Sequence, residues 1–189
     1  MSEFGSIGTA SPYKKLLTKG GLMKLYYAVL NTKIGKILVT RTDKGLNNLL
    51  FHQPTWGRFF EELKKNKRLD LVEAKSKFSK LGKQLNDYFS GKKIKFNEKL
   101  DLSGGTPFEQ KVWKKMLKVP YGKTISYGKL AALAGNSRKA RVVGNACGKN
   151  PVSIVVPCHR IIKSDGGLGG YGGGIELKKR LLKIEKSLV

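Results

Sequence analysis

The sequence predicts an α+β protein of two domains: an N-terminal antiparallel β-sheet with helices, then a mostly helical C-terminal domain that carries a helix-turn-helix. Three observations lead there. Short apolar or alternating runs between turn residues fill the first third of the chain. Helical periodicity with capping signals fills the second half, and a lysine-rich connector ending in a glycine pair lies between them. A chain of 189 residues can bury a core in each of two small domains.

Residues 1–21 are small, polar and rich in Gly, Ser and Thr, and are expected to be a disordered leader or a foreign cloning remnant outside the fold. Residues 22–102 are expected to form the first domain. "KLYYAVL" and "KILVTR" flank "NTKIG", and "TDKG" leads into "LNNLLF", the pattern of an antiparallel meander. "FFEELKKN" and "AKSKFSKLGKQLNDYFSG" then turn helical. In the second of these, Phe78, Leu81, Leu85, Tyr88 and Phe89 recur at helical spacing and Gly91 supplies the stop. Aromatic residues on such a face read as core. The connector "KKIKFNEKLDLSGG" holds the domain boundary, near Leu102.

Residues 103–189 are expected to form the second domain. In "TPFEQKVWKKMLKVP", Thr106 is an N-cap, Pro107 takes the first helical position and Glu109 the third, which makes a capping box. Val112, Trp113, Met116 and Leu117 form the apolar face, and Pro120 ends the helix. "SYGKLAALAG" is a short helix from Ser126 closed by Gly135, and Ser137 can cap a further helix in "RKARVVGNACG". Two short helices joined by a tight turn, the second one basic, read as a helix-turn-helix.

Charge favours the same reading. Lys and Arg number 38 against 13 Asp and Glu, a formal net charge of +25. That balance suits a polyanion, nucleic acid before an anionic membrane surface, with a lysine-rich solvated surface as the plain alternative. No apolar run approaches the ~20 residues needed to span a bilayer, and the basic residues are spread out rather than clustered. Ala140, Val142, Val143, Gly144 and Ala146 are short, so the second helix offers few amides to read the major groove and suits a minor-groove approach. Arg141 stands among them, either as a phosphate contact or as a side chain that fills the place of an extruded base. A single helix-turn-helix entering the duplex suits a monomer.

The chain has 2 Cys and 2 His, too few for a disulfide framework or for a structural zinc site without carboxylates. No structural zinc site is expected from so few ligands. The N-terminus lacks a signal pattern, so an intracellular location, cytoplasm or nucleus, is expected, and Cys158 would be a free thiol there. In "NPVSIVVPCHR" a turn at Asn150-Pro151 should lead into a buried strand at Ser153–Val156, broken by Pro157 just before Cys158 and His159. His159, directly or through a water, is the nearby base, and Arg160 and the positive field should favour the thiolate. A histidine base wants an orienting carboxylate. Glu185 shares the apolar face of Leu181, Leu182, Leu188 and Val189, which predicts a Cys158–His159–Glu185 relay; an exposed Glu on a fraying helix is the alternative. The loop "GGLGGYGGG", with Tyr171, allows close backbone approach to a flat ligand, or is simply a flexible surface loop.

"PCHRII", preceded by Asn150-Pro151 and followed by "GGYGGG", with "ISYGKLAALAG" and "ARVVGNA" upstream, resembles the O6-alkylguanine-DNA alkyltransferases, also called methylated-DNA–protein-cysteine methyltransferases. The resemblance spans about Thr106 to Glu185. It implies one-turnover transfer of an alkyl group from O6-alkylguanine, and from O4-alkylthymine, in flipped-out duplex DNA to Cys158, a chemistry that needs no metal or cofactor. It also implies that His159 and Glu185 activate the thiol, that Tyr127 protonates the guanine ring at N3, and that Asn150 braces the turn before the active-site strand. DNA contacts would come from Ser126, Tyr127, Arg138, Lys139, Ala140, Gly144 and the finger Arg141, and the guanine pocket from Cys147, Ser153, Ile161, Gly169, Tyr171 and Gly172. Ser153 stands where the family often has proline, Gly172 where serine is frequent and Cys147 where methionine is common. Two rivals remain: a non-catalytic sensor or helix-turn-helix regulator that binds alkylated DNA, and a thiol hydrolase that turns over.

Overall fold

A computed structural model describes residues 22–51, 53–65, 67–135 and 139–187. The first domain is built on a four-stranded sheet in the order β3-β2-β1-β4, from β1 (Met23–Thr32), β2 (Gly35–Thr42), β3 (Gly45–Leu50) and β4 (Leu69–Glu73). The first three strands form the expected antiparallel meander. The fourth was not expected from the sequence. β4 pairs in parallel with β1, so it runs parallel to β3 as well, and the chain must cross the sheet to reach it. Helix α1 (Gln53–Lys64) makes that crossing. β4 is legible only through its partner, because "LDLVE" has a single short apolar pair-and-gap pattern and no flanking glycine.

Period-two alternation, interrupted by a register shift in the β2–β3 pairing opposite Thr40 and Arg41, sends the strand residues to two different cores. Leu25 and Leu38 face Phe59 and Leu63 of α1. Ala28, Ile37, Val39, Leu46 and Leu49 face the other way, toward Phe78, Leu81, Leu85 and Tyr88. The last four belong to a stretch that reads as one helix but begins as a 3-10 turn, Lys75–Phe78, and continues as α2 (Ser79–Phe89). Gly91 follows at φ +86, the left-handed position expected of a helix stop.

The second domain contains α3 (Pro107–Met116), α4 (Tyr127–Leu133), α5 (Ala140–Gly148) and α6 (Ile175–Ile184). The capping box forms as expected, with Thr106 Oγ1 accepting from Glu109 N and Glu109 Oε2 accepting from Thr106 N. Trp113 donates its indole N–H to the Ala146 carbonyl at 2.8 Å and so ties α3 to α5. α4 starts at its Ser126 cap, whose hydroxyl accepts from Lys129 N. The expected cap Ser137 lies outside the described residues.

The domains meet along the open edge of β3. Leu46 pairs with Lys99 and Asp101 of the connector, and Leu49 N donates to the Pro151 carbonyl at 2.9 Å. The sheet edge thus holds the segment that leads to Cys158. Beyond it, the two-residue strands β5 (Ile125–Ser126) and β6 (Ile161–Ile162) pair in parallel and set the start of α4 beside the turn that follows Cys158.

Candidate active site

The expected strand at Ser153–Val156 is not there. The chain makes a tight loop instead, with Val156 N donating to the Val152 carbonyl at 2.9 Å and Ile154 held at φ +72. A β-branched residue with positive φ is strained backbone, and surrounding contacts must hold it. Asn150 supplies several of them. Its Oδ1 accepts from Val152 N at 3.1 Å, and its Nδ2 donates to the Val156 carbonyl at 2.7 Å and to Cys158 Sγ at 3.2 Å. One amide therefore shapes the loop and binds the sulfur at its end. Ser153 Oγ lies 3.9 Å from the same sulfur.

Cys158, His159 and Arg160 form a buried 3-10 turn. Cys158 is 6% exposed, and burial pushes its thiol up, against the hydrogen bonds from Asn150 and Ser153 and the charge of Lys178. The expectation that Arg160 helps ionise the thiol is overturned. Its guanidinium turns away, with Nε to Glu185 Oε2 and Nη2 to Oε1, both at 2.9 Å, and Nη1 to the Val119 carbonyl. Arg160 is consumed by the buried carboxylate because that carboxylate needs a charge partner.

Glu185 caps the end of α6 and is buried, as its place on the apolar face predicts. Besides Arg160, it accepts from His159 Nε2 at 2.8 Å, Tyr88 Oη at 2.7 Å and Gly122 N at 3.2 Å. These donors outweigh the cost of burial and hold its carboxyl at about 2. His159 is fully buried, and burial lowers its pKa. With Nε2 bonded to Glu185, Nδ1 is the bare ring nitrogen, and it has no hydrogen-bond partner among the described residues. His159 and Cys158 adjoin in sequence, but no direct hydrogen bond joins them.

Tyr127 opens α4 and burial pushes its phenol up to about 12. A Cβ on Gly169, which has φ +68, would sit 2.8 Å from the Tyr127 ring and hydroxyl, so this glycine is what lets the loop close on the phenol. Gly144 of α5 approaches the other side of the ring. Tyr171 is partly buried in the same loop and Gly172 is exposed. Cys147 faces Met116, sulfur to sulfur at 3.5 Å, with its thiol raised to about 12 by burial. Lys139, at the cap of α5, and Arg141, on it, are exposed, Ala140 is half-buried, and Arg138 lies outside the described residues.

Sequence reasoning missed Lys178. It is fully buried, and its ammonium donates to the carbonyls of Ile161 at 2.6 Å, Leu168 and Gly170, tying the glycine loop to α6. Burial brings its pKa down to about 8, with Cys158 and Cys147 opposing that shift. The spacing Lys178, Leu181, Leu182, Glu185 that marks Glu185 as buried marks Lys178 too. Tyr88 was read as core alone, and nothing local distinguishes it from Phe89. Among the described residues, no group of three or more His, Cys, Asp or Glu side chains could hold a metal ion, and no helix is long and apolar enough to cross a membrane.

A two-helix element of helix-turn-helix form is thus set against a buried thiol, a histidine and a carboxylate, under a β-sheet domain. Two family models match, the 6-O-methylguanine DNA methyltransferase ribonuclease-like domain over residues 25–102 and its DNA-binding domain over residues 107–187. The chain belongs to the methylated-DNA–protein-cysteine methyltransferase family. It is 40% identical to the protein of that name from Methanosarcina barkeri over 86% of this chain and 98% of the relative. It is 41% identical to that of Mycobacterium bovis, over 86% and 93%. Among solved structures, Mycobacterium tuberculosis OGT in complex with DNA matches with TM-score 0.72 and 40% identity, covering 86% of this chain and 93% of that one. The O6-methylguanine-DNA methyltransferase of Pyrococcus kodakaraensis matches with TM-score 0.62 and 28% identity, covering 85% and 98%.

Proposed function

We propose that this protein repairs alkylated DNA by direct reversal. Cys158 takes the alkyl group from O6-alkylguanine, and from O4-alkylthymine, in a nucleotide swung out of the duplex, and keeps it. The observation that carries this reading is the His159 ring, held through Nε2 by Glu185 with Nδ1 bare, on the same buried turn as Cys158. Nδ1, directly or through a water, removes the thiol proton as the sulfur attacks the carbon on O6. The C–O bond breaks and its electron pair passes to the purine. Tyr127 gives its phenol proton to N3, and the proton held by His159 returns to the phenolate through solvent. The products are a thioether and a guanine protonated at N3, which reaches its ordinary N1–H form by proton exchange with solvent. Burial keeps Cys158 protonated at rest, so the thiolate forms when the base is in place. No described group is set to remove the thioether, so each molecule acts once, and the step as written needs no cofactor.

The exposed Lys139 at the cap of α5 and Arg141 on it, with Gly144 against the Tyr127 ring, support a minor-groove approach in which Arg141 replaces the extruded base. A DNA-bound relative of 40% identity supports DNA as the partner. The free thiols of Cys147 and Cys158 suit a reducing intracellular compartment, and one helix-turn-helix suits a monomer. Intact-mass spectrometry tests the reading. Mixed with an oligonucleotide that bears one O6-methylguanine, the protein should gain one methyl per chain, on the Cys158 peptide. Tight binding without a gain in mass would identify a sensor, and product release without a modified chain a hydrolase.

A further inference from the structure

Tyr88 stands on α2, in the first domain, and is fully buried. Its ring packs edge-on against Phe89 and Tyr121, at centroid distances of 5.5 and 6.2 Å. Packing of that kind needs no hydroxyl, yet the hydroxyl donates to Glu185 Oε1 at 2.7 Å, from a residue 97 positions away in the other domain. The same oxygen lies 3.4 Å from His159 Nε2. A phenol has one proton, and the carboxylate is the stronger acceptor. The phenol oxygen is then left with lone pairs beside the imidazole N–H, so Nε2–H meets two acceptors and Nδ1 meets none among the described residues.

We propose that Tyr88 is a positioning residue for the Glu185–His159 pair. It occupies part of Oε1, keeps the ring proton on Nε2, and restrains Glu185 from drawing a second proton onto Nδ1. The first domain thereby completes the active centre rather than merely supporting it. The inference rests on the alkyl-transfer reading of Cys158, since a base that takes the thiol proton must be bare beforehand.

Each charged or titratable group that faces His159 is accounted for. Glu185, at the end of α6, favours an imidazolium. Burial, Arg160 on the same 3-10 turn and Lys178 on α6 oppose one. Cys158 adjoins in sequence, and Tyr121, in the loop after α3, donates to the Ile184 carbonyl at 3.1 Å rather than to the carboxylate. Tyr171, in the glycine loop, has its phenol raised by burial, Cys158 and Glu185, and its hydroxyl makes no hydrogen bond to the carboxylate. Tyr88 is the remaining neighbour. By taking up acceptor capacity on Glu185 it tips the balance toward the neutral ring.

The test is a pH titration of histidine 15N shifts in a Cys158→Ala background, where no thiol titrates alongside the ring. The chain has 2 His, so the signals are few. Nε2 should carry the proton in the neutral ring. Tyr88→Phe keeps the packing and removes the donor, and should raise the His159 transition by about half a unit, roughly a threefold gain in proton affinity. Tyr121→Phe, a hydroxyl lost from the same wall, should leave the transition in place. A transition unmoved or lowered in folded Tyr88→Phe overturns the proposal, as does a ring that stays neutral to acid unfolding in both proteins. If Tyr88→Phe does not fold, 3-fluorotyrosine in place of every tyrosine strengthens the donor and should lower the transition; no change overturns the proposal. A wild-type chain that gains no methyl from damaged DNA defeats the repair reading and leaves the titration result standing separately.

Discussion

Glu185→Gln is the substitution that bears hardest on the active centre. The side chain keeps its volume and loses its charge. Donors surround both oxygens: Tyr88 Oη, His159 Nε2 and Arg160 Nη2 point at Oε1, and Arg160 Nε and Gly122 N at Oε2. A glutamine offers one acceptor and one NH2. Whichever way it faces, its N–H groups meet other N–H or O–H groups, and Arg160, a buried residue 8% exposed, loses its counter-charge. Breaking one side of a buried ion pair costs about 3–5 kcal/mol. For a chain of this size, at about 2–4 °C per kcal/mol, the melting temperature should fall by roughly 10 °C. The imidazole also loses the anion that orients it. On the proposed role of His159 as the base, a contribution of roughly 100-fold or more, single-turnover methyl transfer should slow at least about tenfold. Urea denaturation and rapid-quench transfer measure the two effects. A variant that keeps both the wild-type urea midpoint and the wild-type rate would refute a charged, orienting role for Glu185.

Other outcomes follow from the same geometry. Gly169→Ala would place a methyl 2.8 Å from the Tyr127 ring at φ +68, so it should destabilise by about 1–3 kcal/mol and slow transfer, with binding to undamaged duplex unchanged in a gel-shift assay. Arg141→Ala should weaken capture of a damaged base paired in duplex by up to a few kcal/mol and spare binding to an unpaired strand, read by fluorescence titration of the two substrates. Stability should fall with acid. His159 is held below 6.5 on folding and Glu185 at about 2 against 4.5, so the unfolded chain binds more protons in both cases. The histidine contribution is lost as pH falls below 6.5. The Glu185 contribution, about 3 kcal/mol, is present above pH 4.5 and lost as pH falls toward about 2, which urea midpoints across that range should show.

Most helices were legible because their signals are local. The Thr106–Glu109 capping box, the Ser126 cap and the Gly91 stop each need only a few adjacent residues, and the backbone obeys them. β4 was not legible, because a short strand beside β1 is stabilised by a partner far away in sequence. The loop at Ser153–Val156 was misread for a related reason. An apolar run with β-branched residues favours a strand, but the Asn150 amide and the Leu49–Pro151 bond to the sheet edge bend it into a turn.

The sequence alone determined the chemistry available to this protein: a Cys-His pair after a proline, a carboxylate on an apolar helical face, a phenol at a helix start and a basic helix. Composition and periodicity suffice for that, because they depend on residue type and local spacing. The tertiary structure decided how those groups are joined. It turned Arg160 from the thiol to Glu185, left His159 Nδ1 without a partner among the described residues, buried Lys178 against three carbonyls, and brought the Tyr88 hydroxyl from the first domain to Glu185. Those partners lie 8 to 97 residues apart in sequence, and only packing that shields them from water makes each hydrogen bond obligatory.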